Sequence, residues 1–132
     1  MAAIPSHAAI PRTASASVST ANSARDGSGT TVSVFTAPAS GSLLHKAYIK
    51  ATGTTTAGFV MLYVNDGGAP YALTEVVVDA ITPGAGVASF QAVVDLLDPV
   101  TLTAFHLQGG HSIEASTQRG ERFDVTIHGA DL

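Results

Sequence analysis

The sequence predicts an all-β fold, a β-sandwich of jelly-roll type with about eight strands, preceded by an extended N-terminal arm. Three observations carry that expectation. Short segments rich in Val, Ile, Thr, Phe and Tyr recur along the chain from Asn22 onward. Clusters of Gly, Pro, Asn and Asp separate them at the spacing of consecutive strands. No segment holds a sustained helical period, and the best candidate, 73–80, contains Val76, Val77 and Val78, whose branched side chains favour a strand.

Residues 1–20 read as an arm and residues 21–132 as the sandwich domain. The arm is almost entirely Ala, Ser, Thr and Pro, with one charge at Arg12. Ala14-Ser15-Ala16 is similar to a signal-peptidase site, yet there is no basic n-region, and Pro5, His7 and Pro11 interrupt any apolar h-region. Ile4-Pro5 and Ile10-Pro11 favour extended backbone, because a residue before proline is pushed out of the helical region. Twenty extended residues reach roughly 65–70 Å, far enough to cross onto a neighbouring subunit. Ile4, Pro5, Ile10 and Pro11 are therefore the candidate contact residues of the arm.

Within the domain, 30–36 alternates, which places Val32 and Val34 on one face and Thr31, Ser33 and Phe35 on the other. Strands are next expected at 43–51 and 59–64, the second nearly all apolar and ending in the turn Asn65-Asp66-Gly67-Gly68. Segment 71–79 follows, then the turn Pro83-Gly84-Ala85-Gly86 and a strand over 87–94. Further strands are expected at 100–105, 111–117 and 122–128, with Gly109-Gly110 and Arg119-Gly120 between them. The order of pairing is not readable from the residues.

The chain of 132 residues and 13.3 kDa is the size of one domain. Charged residues make up 12%, about half the usual share, and six Lys and Arg stand against ten Asp and Glu. That balance argues against nucleic acid as a partner, since phosphate neutralisation needs clustered cations. The absence of cysteine excludes a disulfide scaffold, a thiolate zinc site and a cysteine nucleophile. No apolar run approaches the length of a membrane span.

Residue patterns that carry chemistry are weak. His106, His111 and Glu114 form a candidate metal set, but the histidines straddle a Gly-Gly turn, and His111 and Glu114 point to opposite faces of a regular strand. Asp95 and Asp98 beside Pro99 read as a strand end rather than an acid–base pair. No serine sits in a G-x-S-x-G elbow, Gly27-Ser28-Gly29 lacks the lysine of a phosphate loop, and Asp66 lacks the alternating ligands of a calcium loop. The expectation is a non-enzymatic protein without metal or cofactor. Tyr48, Tyr63 and Tyr71 read as core or interface residues. The wealth of Ala, Thr, Ser and Gly suits close packing against copies of itself or a larger assembly, because such side chains lose little entropy on contact.

The run from Thr20 through Asn22, Arg25, Asp26 and Gly27 to Thr30, followed by Val34-Phe35-Thr36-Ala37, resembles the start of a group of small tailed-phage and prophage proteins. So does the run from Ile49-Lys50-Ala51 to Thr56-Ala57-Gly58 before the apolar strand and its Asp-Gly turn. The likeness continues through Leu73-Thr74-Glu75-Val76, Ala80-Ile81-Thr82-Pro83, Ser112-Ile113-Glu114-Ala115-Ser116-Thr117 and Phe123. Proteins of that group start close to the domain, whereas this chain carries about twenty further residues. The resemblance implies a virion component, first of all a capsid decoration (cement) protein of β-sandwich fold. Such a protein would be a homotrimer on the capsid surface, made in the bacterial host cytoplasm, with the major capsid protein as its partner. A tail, fibre or baseplate component contacting other tail proteins or the host surface is the alternative.

Overall fold

The structure, a computed structural model, describes residues 10–96 and 104–132. Among them are nine strands and no helix: β1 (Ile10–Val18), β2 (Val32–Thr36), β3 (Ser42–Ala51), β4 (Gly58–Asn65), β5 (Pro70–Val78), β6 (Gln91–Asp95), β7 (Phe105–Leu107), β8 (Ser112–Thr117) and β9 (Phe123–Asp131). They form two antiparallel sheets, one in the order β1-β9-β3-β6 with β7 also on β3, the other in the order β2-β8-β4-β5. The molecule is a β-sandwich. β6 and β7 lie end to end along β3, which presents Lys46 to Lys50 to β6 and Ser42 to Leu44 to β7. Taken as one interrupted strand they complete a nested pairing: β1 with β9, β2 with β8, β3 with β6/β7, and β4 with β5.

Alternation along the strands builds the core. β3 buries Ala47, Ile49 and Ala51 and exposes Lys46, Tyr48 and Lys50. Leu44, Ile49, Val125 and Ile127 of the first sheet belong to one buried cluster with Phe35, Val60, Leu62 and Ile113 of the second. β4 breaks the alternation because both its faces are covered. Val60 and Leu62 enter the core between the sheets, while Phe59, Met61 and Tyr63 form a second buried cluster on the outer face. Residues 19–31 roof that cluster as a strap. The Arg25 guanidinium lies 4.1 Å from the Phe59 ring centroid, and the Tyr63 hydroxyl donates to the Ala24 carbonyl at 3.1 Å.

Within the domain two strand expectations need correction. Val34 and Phe35 are both buried, although strict alternation assigns them to opposite faces. A β-bulge between Ser33 and Phe35 adds a residue to β2 opposite β8 and turns both side chains inward. The strand expected over 87–94 begins only at Gln91. Gly84 and Val87 instead pair with each other, N to O at 3.1 and 3.0 Å, in a turn completed by Gly86 at φ +76°. Most of the expected strand 100–105 falls outside the described residues; Phe105 opens β7.

Candidate functional site

Half of the segment expected to stand apart as an arm is built into the sheet. Ile10–Val18 pairs along its whole length with β9, from Ile10 opposite Asp131 to Val18 opposite Phe123. Ala14, Ala16 and Val18 pack toward the core, while Thr13, Ser15 and Ser17 face solvent. Ile10 is 74% exposed and Pro11 is also exposed, at the start of the strand. Ile4 and Pro5 lie outside the described residues.

Arg12 is the residue that sequence reasoning missed. Its Nε donates to Asp131 at 3.0 Å, its Nη2 donates to the Thr36 carbonyl at 2.6 Å, and its guanidinium lies 3.9 Å from the Phe35 ring centroid. One side chain thus joins β1, β9 and β2 and closes the flank where the two sheets meet. The signal was present in the sequence: Arg12 is in phase with Ala14, Ala16 and Val18, the inward set of a period-two strand.

The metal candidates do not converge. His106 is exposed on β7, in the first sheet, whereas Glu114 is on β8, in the second. The Glu114 carboxylate already accepts hydrogen bonds from Thr31 Oγ1 at 2.5 Å and Asn65 Nδ2 at 2.6 Å. His111 ends a turn, its amide donating to the Gln108 carbonyl at 3.0 Å. Among the described residues no three His, Asp or Glu side chains are grouped to hold a metal ion. His45, at the irregularity of β3 between Leu44 and Lys46, faces His128 with ring centroids 5.8 Å apart, a pair the sequence spacing does not reveal. Asp95 ends β6 and forms an ion pair with Lys46 at 3.9 Å; Asp98 is outside the described residues.

The remaining carboxylates shape turns and ladders. Asp26 accepts from the Ser28 hydroxyl at 2.6 Å and the Ser28 amide at 3.0 Å, and these bonds hold its carboxyl below the usual value. Asp26-Gly27-Ser28 is therefore an Asx-type turn. Asp66 accepts from the amides of Gly68 and Ala69 at 2.9 and 3.1 Å, which lowers it likewise. Asp124 is lowered first by the Ser17 hydroxyl at 2.7 Å and then by Arg122 at 3.1 Å. A carboxyl lowered in the folded state adds stability above its unfolded pKa of about 3.9 and loses it as the pH falls through the folded value. The Tm difference between wild type and Asp124→Asn is expected to be a few degrees at most at neutral pH, because the group is near the surface, and to close below about pH 4. Thermal melts from pH 7 to pH 2 check this; a difference that widens on acidification contradicts it.

The described residues form a two-sheet sandwich whose N-terminal segment is bound as a strand. No family model matches the chain, and no curated protein matches it. Among solved structures it is similar to a chain of the cyanophage Pam1 capsid asymmetric unit, with a TM-score of 0.50 and 15% identity, over 100% of this chain and 94% of that one. Chains of infectious bursal disease virus, Gx and Gt strains, align with TM-scores of 0.33 at 12% and 11% identity, over 89% of this chain and 33% and 32% of theirs. At such identities the first likeness is one of fold.

Proposed function

We propose that this chain is a structural virion protein of a tailed bacteriophage, a capsid decoration protein that binds and stabilises the assembled major capsid shell as a homotrimer. The observation that supports this most is the end-to-end likeness of its fold to a chain of a phage capsid asymmetric unit, with nearly the whole of both chains aligned. The charge-poor, small-residue composition agrees with a surface meant to be covered. The mechanism is linkage. A protein that binds only the assembled shell stabilises the shell by mass action, and many repeated copies add their contributions. The N-terminal residues Ile4, Pro5, Ile10 and Pro11 make the shell contact in this reading, and the sandwich supplies the trimer interface.

The experiment is a count of copies per purified virion relative to the major capsid protein. A fixed ratio implying hundreds of copies is the expected result. A few copies to a few dozen assigns the protein to the tail or a vertex, and absence from the particle rejects a virion role altogether. A second experiment isolates the contact. A chain starting at Arg12 keeps the residue that clamps β1, so it is expected to fold with an unchanged circular dichroism spectrum and to lose shell binding. Retained binding rejects the N-terminal contact.

A further inference from the structure

The outer face of the first sheet carries two adjoining depressions. One, of about 500 Å³, is lined by Tyr48, Lys50, Gln91 and Val93 with the β3 and β6 backbone. The other, of about 300 Å³, is lined by Ser15, Ser17, Arg122, Asp124 and Thr126. Strand register places them side by side, because Tyr48 stands opposite Thr126 and Lys50 opposite Asp124. Two cross-strand rows result: Ser15, Thr126, Tyr48, Val93 and, beside it, Ser17, Asp124, Lys50, Gln91. The short hydroxyl side chains on β1 and β9 leave the floor of a trough, and Tyr48, 42% exposed, stands within it.

The chemistry of this trough narrows what fits it. Arg122 is paired with Asp124 at 3.1 Å, which leaves Lys50, its Nζ donating to Ser89 Oγ at 2.7 Å, as a single uncompensated cation rather than the positive cluster a polyanion needs. Its large apolar exposure is confined to Tyr48 and Val93, too little for an apolar anchor of a protein partner. Its polar groups are already held in place: Ser15 and Thr126 share a hydrogen bond of 2.8 Å, and Asp124 is fixed by Ser17 and Arg122. Fixed donors and acceptors around one aromatic ring lower the ordering cost of binding a ligand that is uncharged, rich in hydroxyls and apolar on one face. We infer that this trough binds a neutral oligosaccharide, with a sugar C–H face on the Tyr48 ring and its hydroxyls on Asp124, Gln91 and the Ser15–Thr126 pair. The inference does not depend on the virion role.

Saturation-transfer NMR on the full chain, with a panel of neutral hexose and N-acetylhexosamine oligosaccharides, tests it. At least one of them is expected to receive magnetisation. Tyr48→Ala is expected to weaken that binding about fivefold to tenfold, and Gln91→Ala by a smaller factor. Both positions are exposed, so both variants fold. Four outcomes overturn the inference: no neutral sugar binds at millimolar concentration; binding is indifferent to both variants; a sulfated saccharide binds in place of the neutral ones; or the chain self-associates in sedimentation and Tyr48→Ala abolishes it, which makes the face a protein interface.

Discussion

Gly129→Ala is expected to lower the unfolding free energy by about 3 kcal/mol, the upper end of overpacking costs. Gly129 is buried on β9, between β1 and β3, opposite Leu44. A Cβ placed there collides with the Leu43 carbonyl oxygen and comes within 3.1 Å of both Leu44 Cα and Leu44 Cδ2. The first two of these are backbone atoms of a central strand and cannot swing aside. Relief requires β3 and β9 to part, which strains the pairing on which β1, β6 and β7 also depend. The cause is local: the register of β3 against β9 shifts between Leu44 and Lys46, and the kinked strand approaches its neighbour closely at the one position where glycine permits it. Gly53→Ala is the control, since a Cβ there meets nothing within 4 Å. Urea unfolding of both variants checks the account: a steep fall in midpoint for Gly129→Ala, little change for Gly53→Ala. Equal losses at the two positions would show that close approach is not the cause.

The same irregularities mark where the sequence stops being legible. Strand existence was readable wherever apolar period and turn chemistry agreed, as at β4, whose expected span 59–64 differs from Gly58–Asn65 by one residue at each end. What covered its second face was not readable, because the strap's contact with Phe59 and Tyr63 depends on residues more than thirty positions away. β1 was hidden for a different reason. Ala and Ser have little β-propensity, so 12–18 read as part of an extended arm rather than as a strand of the sheet; tertiary pairing with β9 overrides that weak propensity. Bulges were invisible as well. Each inserts a residue without a compositional mark, so the inward turn of Phe35 contradicts a count that is correct on either side of it. The candidate surfaces divide in the same way. Ile10 and Pro11 were named as contact candidates for their chemistry and are exposed, whereas the trough joins residues of four strands and exists only through register.

Asn22→Ala is expected to cost about 2–3 kcal/mol, because it strips partners from three backbone groups at once. The Asn22 side chain is nearly buried at the centre of the strap. Its Nδ2 donates to the carbonyls of Ser28 and Thr30 at 2.9 and 2.8 Å, and its Oδ1 accepts from the Ala24 amide at 3.0 Å. Its own amide, donating to the Thr117 carbonyl at 2.8 Å, ties the strap to β8. Gly29, at φ +77°, leaves the room this side chain fills. Asn22 therefore sets the path of the segment that holds Ala24 over Tyr63 and Arg25 between Phe59 and Glu75. Without it the strap opens before the sandwich unfolds and bares the second apolar cluster. Two readouts follow. Trypsin should cut after Arg25 faster in the variant than in wild type, and a dye that reports exposed apolar surface should bind under conditions where circular dichroism still shows the sheets. Asn22→Asp separates the hydrogen-bonding account from simple space filling. Aspartate has the same shape and keeps the acceptor for Ala24, but it turns a carboxylate oxygen toward two carbonyl oxygens, so it should destabilise at least as much as alanine at neutral pH. Wild-type stability in Asn22→Asp would mean that the side chain only fills volume, and the assignment of its donors to Ser28 and Thr30 would fall.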